Sequence, residues 1–93
     1  MKLNIREDLQ ERHSYTELLF ADGFDEAIIG VGWGFTIPAV VAYDKIKCLE
    51  ILVKRDGMSK AEAEEYFTFN VEGSYVGEKT PLFVEMLKQK KRK

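Results

Sequence analysis

Residues 38–67 read PAVVAYDKIKCLEILVKRDGMSKAEAEEYF, and within them lie a strand, two helix starts and a stop. Ala39 to Tyr43 is an apolar run of strand length that carries the β-branched pair Val40-Val41. Pro38 stands at its first position, where a missing N–H is tolerated. Asp44 has the short carboxylate of a helix N-cap, and Ile46, Leu49, Leu52 and Val53 recur behind it at helical spacing. Gly57 is the left-handed stop, so the spacing predicts a helix over 45–56. Ser59-Lys60-Ala61-Glu62 then has the form of a capping box, in which the serine hydroxyl reaches forward and the glutamate reaches back. Ala63, Tyr66, Phe67, Asn70 and Val71 line one face of this second helix, and Gly73 ends it. The short link over 57–59 makes the two helices a helical hairpin.

Working outward toward the N-terminus, Ala27 to Trp33 reads as another apolar strand after the turn Asp22-Gly23. The loop over 34–38 has hairpin length, so the two strands are expected to pair antiparallel. Toward the C-terminus, Pro81 to Met86 reads as a last strand after a loop containing Gly77. The expected architecture is α+β with the order β-β-α-α-β. A three-stranded antiparallel sheet carries the helical hairpin on one face. Residues 1–87 form one domain in this reading, with a loose arm or short strand over about 1–13. Tyr15, Leu18, Leu19 and Phe20 have the makings of one or two helical turns before the first strand.

Gly30, Gly32 and Gly34 occupy alternate positions, which places them on one face of a strand. Ile29, Val31 and Trp33 are then expected to fill the core from the other face. Glycine within a strand costs up to about 1 kcal/mol, so three in a row call for a reason. Two arrangements supply one. Phe20 or Phe24 lies close across the glycines, or the bare backbone is a flat groove for a partner chain, a ligand or a second copy. A phosphate loop is excluded: the spacing is not G-x-G-x-x-G, the glycines precede a strand, and the lysine and serine of a P-loop are missing.

Composition bounds the chemistry. The chain has 93 residues, 45% of them hydrophobic and 32% charged, with a net charge of −2. Its sixteen acidic residues face fourteen basic ones, and five of the latter are Lys88, Lys90, Lys91, Arg92 and Lys93. An acidic body with a basic tail over 88–93 is not the footprint of a nucleic-acid-binding domain. Any contact with nucleic acid is expected through that tail alone. The single cysteine, Cys48, has no partner for a disulfide and sits in an apolar helical stretch, as a packing residue would. The N-terminus is polar, with no secretory signal, and no apolar run approaches membrane length. Cytoplasmic residence without a membrane partner is therefore expected.

No catalytic constellation is legible. His13, the only histidine, lies in the polar arm and has no triad partner. Asp22, Asp25, Asp44 and Glu78 are the one set of carboxylates with a case for holding Mg²⁺ or Mn²⁺, since these hard ions take oxygen ligands. Turn chemistry is the competing account of Asp22 and Asp25. Asn70, between Phe69 and Val71, is expected to be buried and to tie down the loop over 73–78.

Three blocks, Asp22 to Gly30 (DGFDEAIIG), Gly57 to Phe67 (GMSKAEAEEYF) continuing through Asn70-Val71, and Tyr75 to Pro81 (YVGEKTP), resemble a family of small uncharacterised proteins found mainly in bacteriophages. Tyr43-Asp44 also falls where that family commonly carries such a pair, and the likeness runs from about Asp22 to Val84. The resemblance implies a phage-encoded accessory protein in the host cytoplasm and carries no known catalytic residues or cofactor. Two functional expectations follow. The first is a non-catalytic protein-binding module that engages a host protein or itself, with Gly30, Gly32, Gly34, Tyr43, Asn70 and Tyr75 as candidate binding residues. The second is a small metal-dependent or nucleotide-binding enzyme built on Asp22, Asp25, Asp44 and Glu78.

Overall fold

In the computed structural model, which describes residues 4–87, the strand read at Val40 is the centre of the sheet. The elements are α1 (Ile5–Arg12), β1 (Ile28–Gly32), β2 (Val40–Asp44), α2 (Lys45–Asp56), α3 (Lys60–Phe67) and β3 (Leu82–Val84). A short 3₁₀ turn, Asp25–Ala27, leads into β1, and one π-helical turn, Thr68–Glu72, extends α3. The chain is thus α+β, with three helices around a three-stranded sheet of order β1-β2-β3.

The helices start and stop where their caps dictate. Asp44 accepts a hydrogen bond from the Lys47 amide at 3.2 Å, and Gly57 closes α2 in the left-handed region. Ser59 and Glu62 form the reciprocal capping box. In α2 the buried residues are Cys48, Leu49, Ile51 and Leu52, while Ile46 and Val53 stay exposed. Leu49, Leu52, Ala63 and Phe67 of the two helices join Val41 and Tyr43 of β2 in the core.

The sheet is mixed, not antiparallel throughout. β1 pairs antiparallel with β2 as a hairpin, but β3 runs parallel to β2, with Leu82 beside Ala42 and Val84 beside Asp44. The reason lies in the loop from Gly73 to Pro81. It is long enough to run the length of a five-residue strand before β3 begins. The connection from β2 through both helices to β3 is therefore a helical crossover, as parallel neighbours require.

The N-terminal arm also differs from expectation. Residues 5–12 form α1, with Asn4 and Glu7 making a capping box, and not a strand or a loose arm. Its only apolar residues are Ile5 and Leu9, too few to reveal a helix by periodicity. Residues 15–20 are not helical. The Gln10 side chain pins that stretch, which opens in a turn, by donating to the carbonyls of His13 and Thr16 and accepting from the Leu18 amide.

The glycines are resolved by a β-bulge. Ile28 pairs with Tyr43 and Gly30 with Ala42, so Ile29 is an extra residue and the inside-outside alternation slips by one. Ile28 and Val31 consequently face the core, while Ile29 and Trp33 are exposed, against the expected inward set Ile29, Val31 and Trp33. Gly30 has φ +152°, a conformation that L side chains avoid. Gly32 shares its face, and the nearest side chain to it is Leu82, not Phe20 or Phe24. Gly34 lies past the strand in the hairpin loop, so the three glycines form no continuous ladder.

No helix among the described residues is long and apolar enough to cross a membrane. Two outcomes check this packing. Gly30→Ala should lower stability by about 1–3 kcal/mol because of the backbone alone. Gly32→Ala, whose added methyl would meet Leu82 at an ordinary 3.8 Å, should change it by no more than about 0.5 kcal/mol. Urea midpoints measure both. Burial also pushes the Cys48 thiol up from 9.0 to about 12 and raises the Tyr43 phenol. Both groups hold their protons more tightly folded than unfolded, so their contribution is full below about pH 9 and declines above it. The urea midpoint should fall between neutral pH and about pH 11, and less steeply in Cys48→Ala.

Candidate functional site

Tyr43 is buried, and its hydroxyl accepts a hydrogen bond from the Ala21 amide at 2.6 Å. That bond draws the segment before β1 against the sheet. The Tyr43 ring lies 5.5 Å from Phe83 of β3, Phe83 meets Phe67 edge-on at 5.0 Å, and Phe67 meets Phe24 edge-on at 6.3 Å. Such offset and edge-on pairs add to the burial of each ring. The aromatic chain thus joins β2, β3, α3 and the turn before β1.

Beside this chain, the same elements leave a cleft of about 260 Å³. Leu19, Phe20, Ala21, Asp22 and Phe24 form one wall. Tyr66, Asn70 and Val71 form the second. Ser74, Val76, Thr80, Pro81 and Phe83 close the third. The π-helical turn shapes the middle wall, and such turns recur at functional sites. It closes because residue 73 is glycine: a Cβ there would stand 2.9 Å from the Thr68 carbonyl oxygen.

Several polar atoms of the cleft are spent on its own walls. Asn70 Nδ2 donates to the Tyr66 carbonyl, Ser74 Oγ to the Asn70 carbonyl, and Thr80 Oγ1 to the Gly77 carbonyl while accepting from the Val76 amide. Asp22 meets Arg6 at 3.3 Å.

Of the residues singled out in the sequence, the structure brings Asn70 to the cleft, but as an exposed side chain and not a buried amide. Tyr43 stands behind the cleft as its brace. Tyr75 is exposed and outside the lining. Gly30, Gly32 and Gly34 belong to the hairpin, away from the cleft lining.

The four carboxylates do not converge. Asp25 and Asp22 share the Arg6 guanidinium, at 2.9 and 3.3 Å, and Arg6 also stacks 5.0 Å from the Phe20 ring. Asp44 is engaged as the α2 cap, and Glu78 lies in the loop before β3. Among the described residues no group of three or more His, Cys, Asp or Glu is placed to hold a metal ion. Arg6, carried by a helix the sequence did not reveal, sits where the cation would have been. Lys88, Lys90, Lys91, Arg92 and Lys93 lie outside the described residues.

Sequence reasoning missed a second feature, the hairpin tip. Gly34 and Ile37 exchange backbone hydrogen bonds of 3.0 and 3.3 Å, leaving Phe35 and Thr36 as the turn. Phe35 is 105% exposed and Trp33 68% exposed, with Trp33 6.0 Å from the His13 ring at the end of α1. The signal that could have found it is charge: residues 27–43 contain no charged side chain in a chain that is 32% charged.

No family model, curated protein or solved structure matches this chain. With Asp22 and Asp25 occupied by Arg6, millimolar Mg²⁺ or Mn²⁺ should leave the melting temperature unchanged. A saturable rise would reveal a cation site that this geometry does not provide.

Proposed function

We propose that the chain is a non-catalytic protein-binding module, of the small accessory kind implied by the phage resemblance, working in the cytoplasm of a host cell. The hairpin tip carries this reading. Two large aromatic side chains and Ile37 stand in solvent on a turn fixed by its own backbone pair. Aromatic residues give large contact areas and dominate binding hot spots. Leaving them in water forgoes about 25 cal/mol for each Å² of apolar surface, which a folded chain recovers only against a partner.

The surroundings support binding over chemistry. Cys48 is buried with its thiol held protonated up to about 12, so it offers no thiolate nucleophile. His13 is engaged with the Tyr15 hydroxyl at 3.3 Å and with the Trp33 ring. The cleft, near 260 Å³, is below the ~300 Å³ at which pockets for drug-sized ligands begin, while a wider, more charged concavity of about 590 Å³ lies between α2 and the turn before β1. The cleft has room for one or two side chains rather than a nucleotide.

Capture from a bacterial lysate with the tagged chain tests the proposal. A protein retained by the wild type and lost with Trp33→Ser/Phe35→Ser is expected, because each hot-spot truncation costs about 2 kcal/mol or more. Equal capture by the double variant would remove the tip from the binding surface. Phe35→Ser alone should match the wild type in circular dichroism and melting temperature, since Phe35 is fully exposed, whereas Trp33 also meets the His13 ring.

A further inference from the structure

We infer that α1 is a detachable, salt-sensitive strap. It passes as one unit between a docked helix and a released, unfolded chain, and when docked it clamps the cleft wall near one end and the hairpin at the other. This holds whether or not the chain binds a partner.

The helix has little of its own to keep it in place. None of its residues is buried. Of its two apolar side chains, Ile5 is exposed and Leu9 alone packs against the core. Isolated helices shorter than about 12–15 residues are marginal in water, and α1 has eight residues. It is therefore helical only while docked, and undocking and unfolding are one step.

The attachments are polar. Arg6 Nε donates to both Asp25 oxygens at 2.9 and 3.0 Å, and Nη2 donates to Asp22 at 3.3 Å. The same guanidinium lies 5.0 Å from the centre of the Phe20 ring. Phe20 and Asp22 belong to the cleft wall. At the other end, the His13 ring stands 6.0 Å from Trp33 of the hairpin. The Asp22 and Asp25 side chains are 97% and 43% exposed, and ion pairs so open to water add little and are screened by salt. The screening length falls from about 8 Å at 0.15 M to about 3 Å at 1 M. Beyond the strap the chain is held by burial instead. Leu18 is in the core, and the Ala21 amide is bonded to Tyr43. The hinge consequently falls over 13–16, where Ser14 and Tyr15 are exposed and Gln10 spans the turn.

Release leaves Phe20, Asp22 and Asp25 without their guanidinium and Trp33 without its histidine. If the binding reading above holds, a partner that takes Phe20 or Trp33 competes with α1, and the strap is an autoinhibitory contact. The strength of that coupling is the difference in the partner's affinity for the two forms.

Amide hydrogen exchange on the full chain, at low salt and at about 1 M NaCl, tests the strap without any partner. The amides of residues 8–13 should share one protection factor, lower than that of the α2 amides. Both 1 M NaCl and Arg6→Gln should lower it, the variant at least about 5-fold because ion pairs and ring contact are lost together. The α2 amides should not change. Trp33 is the only tryptophan, so its emission reports the far end of the strap. At low salt, Arg6→Gln should already show the emission of the wild type at 1 M NaCl. Protection in α1 equal to that in α2, or untouched by salt and by Arg6→Gln, overturns the strap. So does an effect confined to residues next to Arg6 with Trp33 emission unchanged, or a parallel loss of protection in α2. Each of those outcomes leaves the binding reading to its own capture test.

Discussion

The structure depends on one buried phenol. Tyr43 sits at the centre of the sheet, and its two ends do different work. The ring packs on Phe83 and through it on Phe67 and Phe24, so a single aromatic chain fixes the return strand, the second helix and the turn before β1. The hydroxyl takes the Ala21 amide, satisfying a backbone donor that would otherwise press unpaired against the core. A phenylalanine there would keep the ring contacts and leave that amide unsatisfied, which costs more than a typical hydrogen bond contributes. In a chain this small, where the core is thin, one side chain that both packs and pairs has few substitutes.

The cleft is a by-product of that arrangement and of the parallel return of β3. Because the loop between Gly73 and Pro81 has to carry the chain along the sheet, it passes in front of the segment that Tyr43 has drawn inward. Ser74, Val76 and Thr80 therefore face Leu19 and Phe20 across a gap. Had β3 returned antiparallel, the loop would have been short and this wall absent. Two further bonds hold the walls apart at fixed places, Lys45 to Glu72 at 3.6 Å and Lys79 to the Glu17 carbonyl at 3.2 Å.

The hairpin shows a different economy. A bulge at Ile29 and Gly30 interrupts the exposed edge of the sheet, which discourages indiscriminate strand pairing. The most exposed apolar side chains of the hairpin, Trp33 and Phe35, stand at its tip. Surface gathered at a turn on side chains of low conformational entropy suits a specific contact better than the same area spread along a strand. The smooth glycine face suggested by the spacing of Gly30, Gly32 and Gly34 does not form, because Gly34 lies past the strand in the hairpin loop.

By itself the sequence determined those features that are settled within a few residues. The capping oxygens of Asp44 and Ser59, the left-handed stop at Gly57 and the apolar run of β2 all act on near neighbours, and they set α2, α3 and the central strand where the spacing places them. Only the tertiary structure decided the features that turn on distant partners. Nothing local announces that Arg6 will neutralise Asp22 and Asp25, sixteen and nineteen positions away. Nothing local sets the direction of β3, which depends on where a long loop delivers the chain. A single extra residue at the start of β1 turns Ile28 inward in place of Ile29 while Val31 keeps its inward place, because strand parity is counted from the pairing and not from the sequence. The candidate site was legible only as blocks of sequence. Its shape came from packing, since a cleft is defined by side chains that meet across the fold.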